Sequence, residues 1–345
     1  MINILTNAKS NDLYDLFKIH KGFIFLDENY INLCNLNNSN LNMYLVLDEE
    51  IDNDLKLNCE INNIPVIGIP RYSKYLQHNI LKKYDINTPN TIYVNNYKRN
   101  ILLNVLNNYN NNDKFYCKME RGARGLGQFL ATKKQLLNLC DYHNYEIKEY
   151  LKQFETKNDI VENKKDQELK LETDYIEIEE KNIEVENQKN KNIMYKHIGK
   201  MKCNGSDYVN FYNDMIIQEA VDVLAEYRLM YFYKEKPILV KRTKTENNWQ
   251  ANACNNIGGI GSIIDTDINI EKTDIYKKID TMCKDLKIPF LSVDLYDTKI
   301  SDNFNDAGVF EFQMEFGYSL TKKLDYTELH NKLINSVENM YYENK

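Results

Sequence analysis

Residues 115–131, F-Y-C-K-M-E-R-G-A-R-G-L-G-Q-F-L-A, constrain this chain more than any other stretch. Phe115, Tyr116 and Cys117 carry strand-type side chains, and the run closes on F-L-A, so the pattern predicts strand, glycine-rich turn, strand. Gly122, Gly125 and Gly127 remove side chains where backbone must bend tightly or let a ligand approach. Lys118, Arg121 and Arg124 surround those glycines with positive charge. Exposed N–H groups among cations cradle an anion, and polyphosphate is the anion most often held this way. A plain hairpin with solvated charges accounts for the same residues, so the loop alone does not decide.

Composition narrows the choice. The chain has 345 residues, enough for two or three lobes, with 43% hydrophobic and 28% charged residues as in ordinary globular proteins. A net charge of -7 argues against a general nucleic-acid binder, so any phosphate-binding cations are local. The 7 cysteines are scattered without a C-x-x-C pair, which fits reduced thiols in the cytoplasm and neither a disulfide framework nor a zinc site. No signal peptide and no long apolar run is visible, so no membrane partner is expected.

Along the chain, M-I-N-I-L-T, G-F-I-F-L, Y-L-V-L and I-P-V-I-G are short apolar runs suited to buried parallel strands. They make residues 1–70 a small α/β lobe. No G-x-G-x-x-G follows the first strand, so dinucleotide binding is not indicated. Ser73 can cap a helix running to Tyr84, with Tyr75, Leu76, Ile80, Leu81 and Tyr84 as its apolar face. Thr91–Val94 reads as a strand, Ile101–Leu106 as a helix, and Gln135–Cys140 as a helix after the glycine turn. Residues 155–191 are Glu- and Lys-dominated, without Gly or Pro, and read as a solvated insertion. Strands follow at Met215–Glu219, Tyr227–Tyr233 and Pro237–Val240, then an amphipathic helix at Ile275–Leu286. F-L-S-V-D-L-Y and G-V-F-E-F-Q-M-E-F alternate as strands, and Tyr326–Tyr341 is a final helix.

Five features stand in fixed order: Ser73-Lys74 at a helix start, Lys118 with the glycine turn, I-I-Q-E-A-V-D-V-L-A-E-Y-R, V-K-R-T-K-T-E-N-N-W-Q-A-N with Gly258 and Gly259, and V-D-L-Y with F-E-F-Q. From about residue 70 to 320 the chain resembles the ATP-grasp superfamily, in particular ribosomal-protein glutamate ligases and D-alanine–D-alanine ligases. The resemblance implies an α/β (α+β) ATP-grasp fold, two lobes sandwiching ATP behind an N-terminal α/β pre-domain. Lobe one would span 71–215, including the insertion, and lobe two 216–345.

The resemblance also implies roles. Lys74 and Lys118 neutralise phosphate charge as compact cations; an ordinary exposed helix lysine is the alternative for Lys74. Arg124, Gly125 and Gly127 close over the triphosphate, and Gln218, Glu219, Ala220 and Val221 form the hinge against the adenine edge. Glu226 takes the ribose hydroxyls as a double acceptor; pairing with Arg228, two residues along, is its structural alternative. Asp294, Glu311 and Gln313 hold Mg²⁺, or Mn²⁺ in its place. Each acid lies inside an apolar strand, where a bare carboxylate is expensive to bury and a cation would compensate it; solvent-facing acids on an edge strand are the alternative. Gln313 stands where the family has Asn, and Gln250 where it has Arg, while Asn252 matches. Arg242 faces the reacting phosphoryl and carboxylate groups, and Gly261 helps keep the substrate floor open.

The activity implied is an ADP-forming carboxylate–amine ligase acting through an acylphosphate, such as one adding an amino acid to a peptide or protein. A kinase of the same fold, or a nucleotide-binding protein with a decayed site, is the alternative. The implied partners are small-molecule or peptide carboxylates and amines.

Overall fold

Short β-branched runs near the start of the chain pair in parallel, because each is apolar on both sides and leaves no face for water. Strands β1 (Ile4–Thr6), β2 (Phe23–Phe25), β3 (Met43–Leu47) and β4 (Val66–Ile69) form a four-stranded sheet in the order β2-β1-β3-β4. Every neighbouring pair is parallel, as the sequence leads one to expect. Helix α1 (Asn53–Ile61) makes the crossover from β3 to β4. The computed structural model describes residues 4–6, 23–25, 42–47, 53–95, 99–119, 129–137, 214–243, 260–263, 269–299, 304, 306–314, 316 and 325–345. The glycine turn at 120–128 and the insertion at 155–191 lie outside the described residues.

Gly68 is required where it stands. Its φ is +84°, and a Cβ there would lie 2.1 Å from the Val46 carbonyl oxygen.

The expected helix after Ser73 is α2 (Lys74–Lys83), with Ser73 Oγ accepting from the Leu76 N–H at 3.2 Å. Its buried face follows the apolar spacing in part: Leu81 is buried and Ile80 and Tyr84 pack against the core, but Tyr75 and Leu76 are exposed and Gln77 and His78 are buried in addition. The Gln77 amide explains this: its Nε2 donates to the Tyr72 carbonyl and its Oε1 accepts from the Phe312 N–H, both at 3.0 Å. A polar group so fully satisfied is tolerated in the interior.

The chain divides into two units, Met1–Pro89 with Val221–Lys345, and Asn90–Ala220; the sequence places lobe boundaries near 70 and 215. In the second unit, β5 (Thr91–Asn95), β6 (Lys114–Met119), β7 (Phe129–Thr132) and β8 (Asp214–Glu219) form an antiparallel sheet, order β5-β8-β6-β7. Helix α3 (Arg99–Val105) lies between β5 and β6 in sequence. Val94, Phe115, Cys117, Ala131, Met215 and Ile217 build that unit's core together with Leu102, Leu106 and Leu136. Alternation therefore sends Thr91, Tyr116, Lys118, Ile216 and Gln218 to the other face.

In the first unit, β9 (Ala225–Phe232), β10 (Ile238–Thr243), β11 (Ile260–Ile263), β12 (Phe290–Asp297) and β13 (Ala307–Gln313) form a five-stranded antiparallel sheet, order β11-β10-β9-β12-β13. Helix α4 (Asp274–Asp285), capped by Thr273, covers the face that carries Tyr231: the Tyr231 and Tyr276 ring centroids lie 6.0 Å apart, and the Tyr231 hydroxyl donates to Asp280 at 2.9 Å. Helix α5 (Tyr326–Asn344) is capped by Asp325, whose Oδ1 accepts from the Glu328 N–H at 3.0 Å. Among the described residues no helix is long and apolar enough to cross a membrane.

Candidate active site

One face of the five-stranded sheet gathers the predicted acids. Register places Asp294 of β12 between Arg228 of β9 and Glu311 of β13. In the next row Tyr296 lies between Glu226 and Gly308, and in the preceding row Ser292 lies between Met230 and Gln313. Residues two apart on a strand share a face, so Glu226, Arg228, Asp294, Glu311 and Gln313 all belong to this one. Arg242 of β10 stands in register with Glu226 and, across the other edge of its strand, with Gly261 of β11.

The alternation that unites Glu311 with Gln313 is interrupted just before them. Asp294 pairs with Glu311 but Leu295 pairs with Val309, so Phe310 is an extra residue. The shift returns Val309 to the core face and brings Gly308 beneath the ring of Tyr296. The Tyr296 and Phe310 ring centroids are 4.5 Å apart, and burial pushes the Tyr296 phenol up to about 12.

Asp294 is not a bare carboxylate awaiting a metal. Arg228 Nε donates to its Oδ1 at 2.8 Å and Nη2 to its Oδ2 at 3.0 Å, a bidentate fork with both side chains only 12–13% exposed. Burial would lower the Arg228 guanidinium, but Asp294, and after it Glu311, more than offset this and raise it above its ordinary value. Burial of Asp294 is therefore compensated within the protein, and it does not by itself call for a cation. Nor does Arg228 serve Glu226, the alternative the sequence allows; its cross-strand neighbour is Asp294, 66 residues away. A lone arginine inside the apolar run A-E-Y-R-L-M-Y-F is the signal that could have revealed the pair, since a buried guanidinium needs a carboxylate.

Along this face the sheet changes character. Phe232, Met230, Ser292 and Phe290 are buried, and Phe316 packs on Phe232 and Phe290 with centroids 5.5 and 5.7 Å away. Glu226, Arg228, Asp294, Glu311 and Gln313 are only partly buried. β13 ends the sheet, yet its outer edge is covered. The Val309 N–H donates to the Asn87 carbonyl at 2.8 Å, and the Phe312 N–H to Gln77 of α2. That second bond ties the strand bearing Glu311 and Gln313 to the helix that begins with Lys74.

Among the described residues no group of three His, Cys, Asp or Glu could hold a metal ion. Two carboxylates directly across a strand pair, with an amide oxygen beside them, still fit Mg²⁺. That ion commonly takes one or two carboxylates and completes its shell with water and substrate phosphates.

In the other unit, Lys118 and Gln218 lie on the same face of the sheet. Gln218 is 4% exposed; its Nε2 donates to Thr91 Oγ1 at 3.0 Å, while its Oε1 is buried without a hydrogen-bond partner among the described residues. A buried acceptor without a partner costs about 1–3 kcal/mol. The hinge is more restricted than its sequence suggests. The Glu219 N–H donates to the Asn90 carbonyl and the Ala220 N–H to the Lys114 carbonyl, both at 2.9 Å. Both of those donors are therefore occupied, and Val221 is the first residue of this stretch whose N–H has no such bond among the described residues. Arg124, Gly125 and Gly127, with Gln250, Asn252 and Gly258, lie outside the described residues.

By sequence, no family model and no curated protein matches this chain. Solved structures do match it along its whole length. The D-alanyl-alanine synthetase A of Vibrio cholerae O1 aligns over 99% of this chain and 98% of its own, at 9% identity and a TM-score of 0.52. A RiPP-associated ATP-grasp ligase of Chryseobacterium gregarium, solved with ADP and a leader and core peptide, aligns over 100% and 98%, at 11% identity and a TM-score of 0.50. The chain has the ATP-grasp fold. The resemblance read from its motifs thus holds at the level of architecture, although identity near one residue in ten leaves the site residues to be argued from their own geometry.

Proposed function

We propose that this protein is an ATP-dependent, ADP-forming carboxylate–amine ligase. The observation that carries the reading is the pairing of Asp294 with Glu311 across adjacent strands, with Gln313 on the same face of an ATP-grasp sheet. Bound Mg²⁺, or Mn²⁺, would be held by Asp294, Glu311 and Gln313 and would supply positive charge to the terminal phosphates. The protein's own residues do the rest by position and charge.

The adenine amine would donate to Gln218 Oε1, and Val221 and the Glu219 carbonyl would offer the remaining hinge contacts. Glu226 would accept from the ribose hydroxyls. Lys74 and Lys118 would neutralise phosphate oxygens, with Arg124, Gly125 and Gly127 as the covering loop. A substrate carboxylate oxygen attacks the γ-phosphorus, the bond to the bridging oxygen breaks, and ADP leaves. An amine nitrogen then attacks the acyl carbon and loses a proton as phosphate departs, leaving an amide. Arg242 would stabilise charge on the acyl oxygen during both steps. Covering the acylphosphate matters because water would hydrolyse it.

An amino acid or peptide is the substrate class favoured by the likeness to an alanine–alanine synthetase and to a ligase solved with a peptide. The test is incubation with ATP, Mg²⁺ and pooled amino acids and peptides, followed by mass spectrometry. ADP release with a new amide mass supports the ligase. A product heavier by one phosphate replaces it with a kinase, and no turnover replaces it with a nucleotide-binding protein.

A further inference from the structure

One row before the acids, the same face of the sheet buries a hydroxyl. Ser292 lies on β12 two residues before Asp294, so the two share a face. It is 1% exposed, and its Oγ has no hydrogen-bond partner among the described residues. Its cross-strand neighbours are Met230 and Gln313. Met230 is fully buried and offers at best a weak sulfur acceptor, and Phe290, the preceding residue of that face, offers none. Alanine would pack here without the cost of a buried polar group, so packing alone does not account for the serine. Gln313 stands directly opposite, on the regular side of the Phe310 bulge. Opposed residues of antiparallel strands hold their Cβ atoms about 4.5–5.5 Å apart, a gap that a serine oxygen and the long arm of a glutamine can close with one hydrogen bond. Gln313 is only partly buried, and its side-chain amide makes no hydrogen bond among the described residues.

We propose that Ser292 is a positioning residue for Gln313: its Oγ accepts from the Gln313 Nε2–H and thereby turns Oε1 toward the ion that Glu311 also holds. The inference rests on the assignment of Gln313 and Glu311 as cation ligands. A glutamine arm has three torsions to fix, and one hydrogen bond at its nitrogen fixes the direction of its oxygen. The two contacts reinforce each other, because an amide polarised at its oxygen is a stronger donor at its nitrogen. The bond also gives the buried hydroxyl a partner. Groups that orient a metal ligand from behind commonly carry about 10- to 100-fold of the metal affinity.

The test is Mn²⁺ binding to the whole protein with a non-hydrolysable ATP analogue, read by water-proton relaxation, which separates protein-held Mn²⁺ from Mn²⁺–nucleotide in solution. Ser292→Ala should bind Mn²⁺ about tenfold more weakly. Its urea midpoint without nucleotide should stay at or above the wild-type value, because a buried hydroxyl without a partner has been removed. A purely structural serine gives the reverse, a lower midpoint with Mn²⁺ affinity unchanged, and that result overturns the proposal. Ser292→Cys, similar in shape but a weak acceptor, should repeat the loss and carries the test if the alanine variant does not fold. In a Gln313→Ala background, Ser292→Ala should add less than about twofold, since the partner it positions is gone. The full loss in that background overturns positioning through Gln313. Wild-type Mn²⁺ binding that both serine variants retain unchanged overturns the role of Ser292 alone. Absence of a ternary complex in the wild type overturns the cation assignment and this inference with it.

Discussion

Replacing Gln218 with leucine should move stability and nucleotide binding in opposite directions. Gln218 sits in β8 with its amide buried, one end bonded to Thr91 and the other, Oε1, without a partner among the described residues. The change removes one neutral hydrogen bond worth about 1 kcal/mol and relieves an orphan acceptor that costs about 1–3 kcal/mol. Leucine fills a similar volume and leaves no polar atom. The nucleotide-free protein should be as stable as the wild type or up to about 2 kcal/mol more stable, by thermal or urea unfolding. With nucleotide the sign reverses. An adenine amine that loses its acceptor is left buried and unpaired, a loss of about 1–3 kcal/mol, or about 5- to 150-fold in Kd. Calorimetric titration with ADP measures this directly. Inosine diphosphate, which carries a carbonyl where adenine carries the amine, serves as the internal control, and its affinity should change far less. Equal ADP affinity in the variant, or equal losses for both nucleotides, would refute the assignment of Gln218 to the base.

Three further outcomes are expected. Glu311→Ala should lower Mg²⁺-dependent ATP turnover by about two orders of magnitude or more, about 3 kcal/mol, while circular dichroism stays native; unchanged turnover removes Glu311 from the cation site. Gly308→Ala puts a Cβ 2.4 Å from the Tyr296 ring, so unfolding should come at lower urea by about 1–3 kcal/mol, and trimming Tyr296 to Ala in the same chain should recover part of that, whereas strictly additive losses would contradict the contact. His78 is buried, and desolvation first, then Lys82, holds its pKa down to about 4 from an ordinary 6.5; the unfolded chain takes the proton first, so its contribution is intact above about pH 6.5 and is lost as pH falls toward 4, and His78→Gln should flatten that part of the stability–pH curve relative to wild type.

The elements were largely legible in the sequence because they are local. Ser73 and the spacing after it mark α2, alternation marks β12 and β13, and apolar runs of three to five residues mark the parallel strands. What the sequence could not supply is whatever depends on register. Arg228 and Glu226 are two apart and share a face, so local reasoning offers them to each other; cross-strand neighbours lie closer than that, and the sheet gives Arg228 to Asp294. The buried face of α2 is wider than its apolar spacing, which carries Ile80, Leu81 and Tyr84, for a related reason. Gln77 is buried only because a strand more than two hundred residues later presents the Phe312 N–H to it. The same dependence applies to the burial argument for metal. A carboxylate inside an apolar strand signals that some cation stands nearby, but only the fold says whether that cation is an ion or an arginine. Here an arginine already holds Asp294, so the case for a divalent ion rests on Glu311, the acid across the strand pair that Arg228 does not grip. The functional reading therefore stands or falls on Glu311 before any other residue of that face.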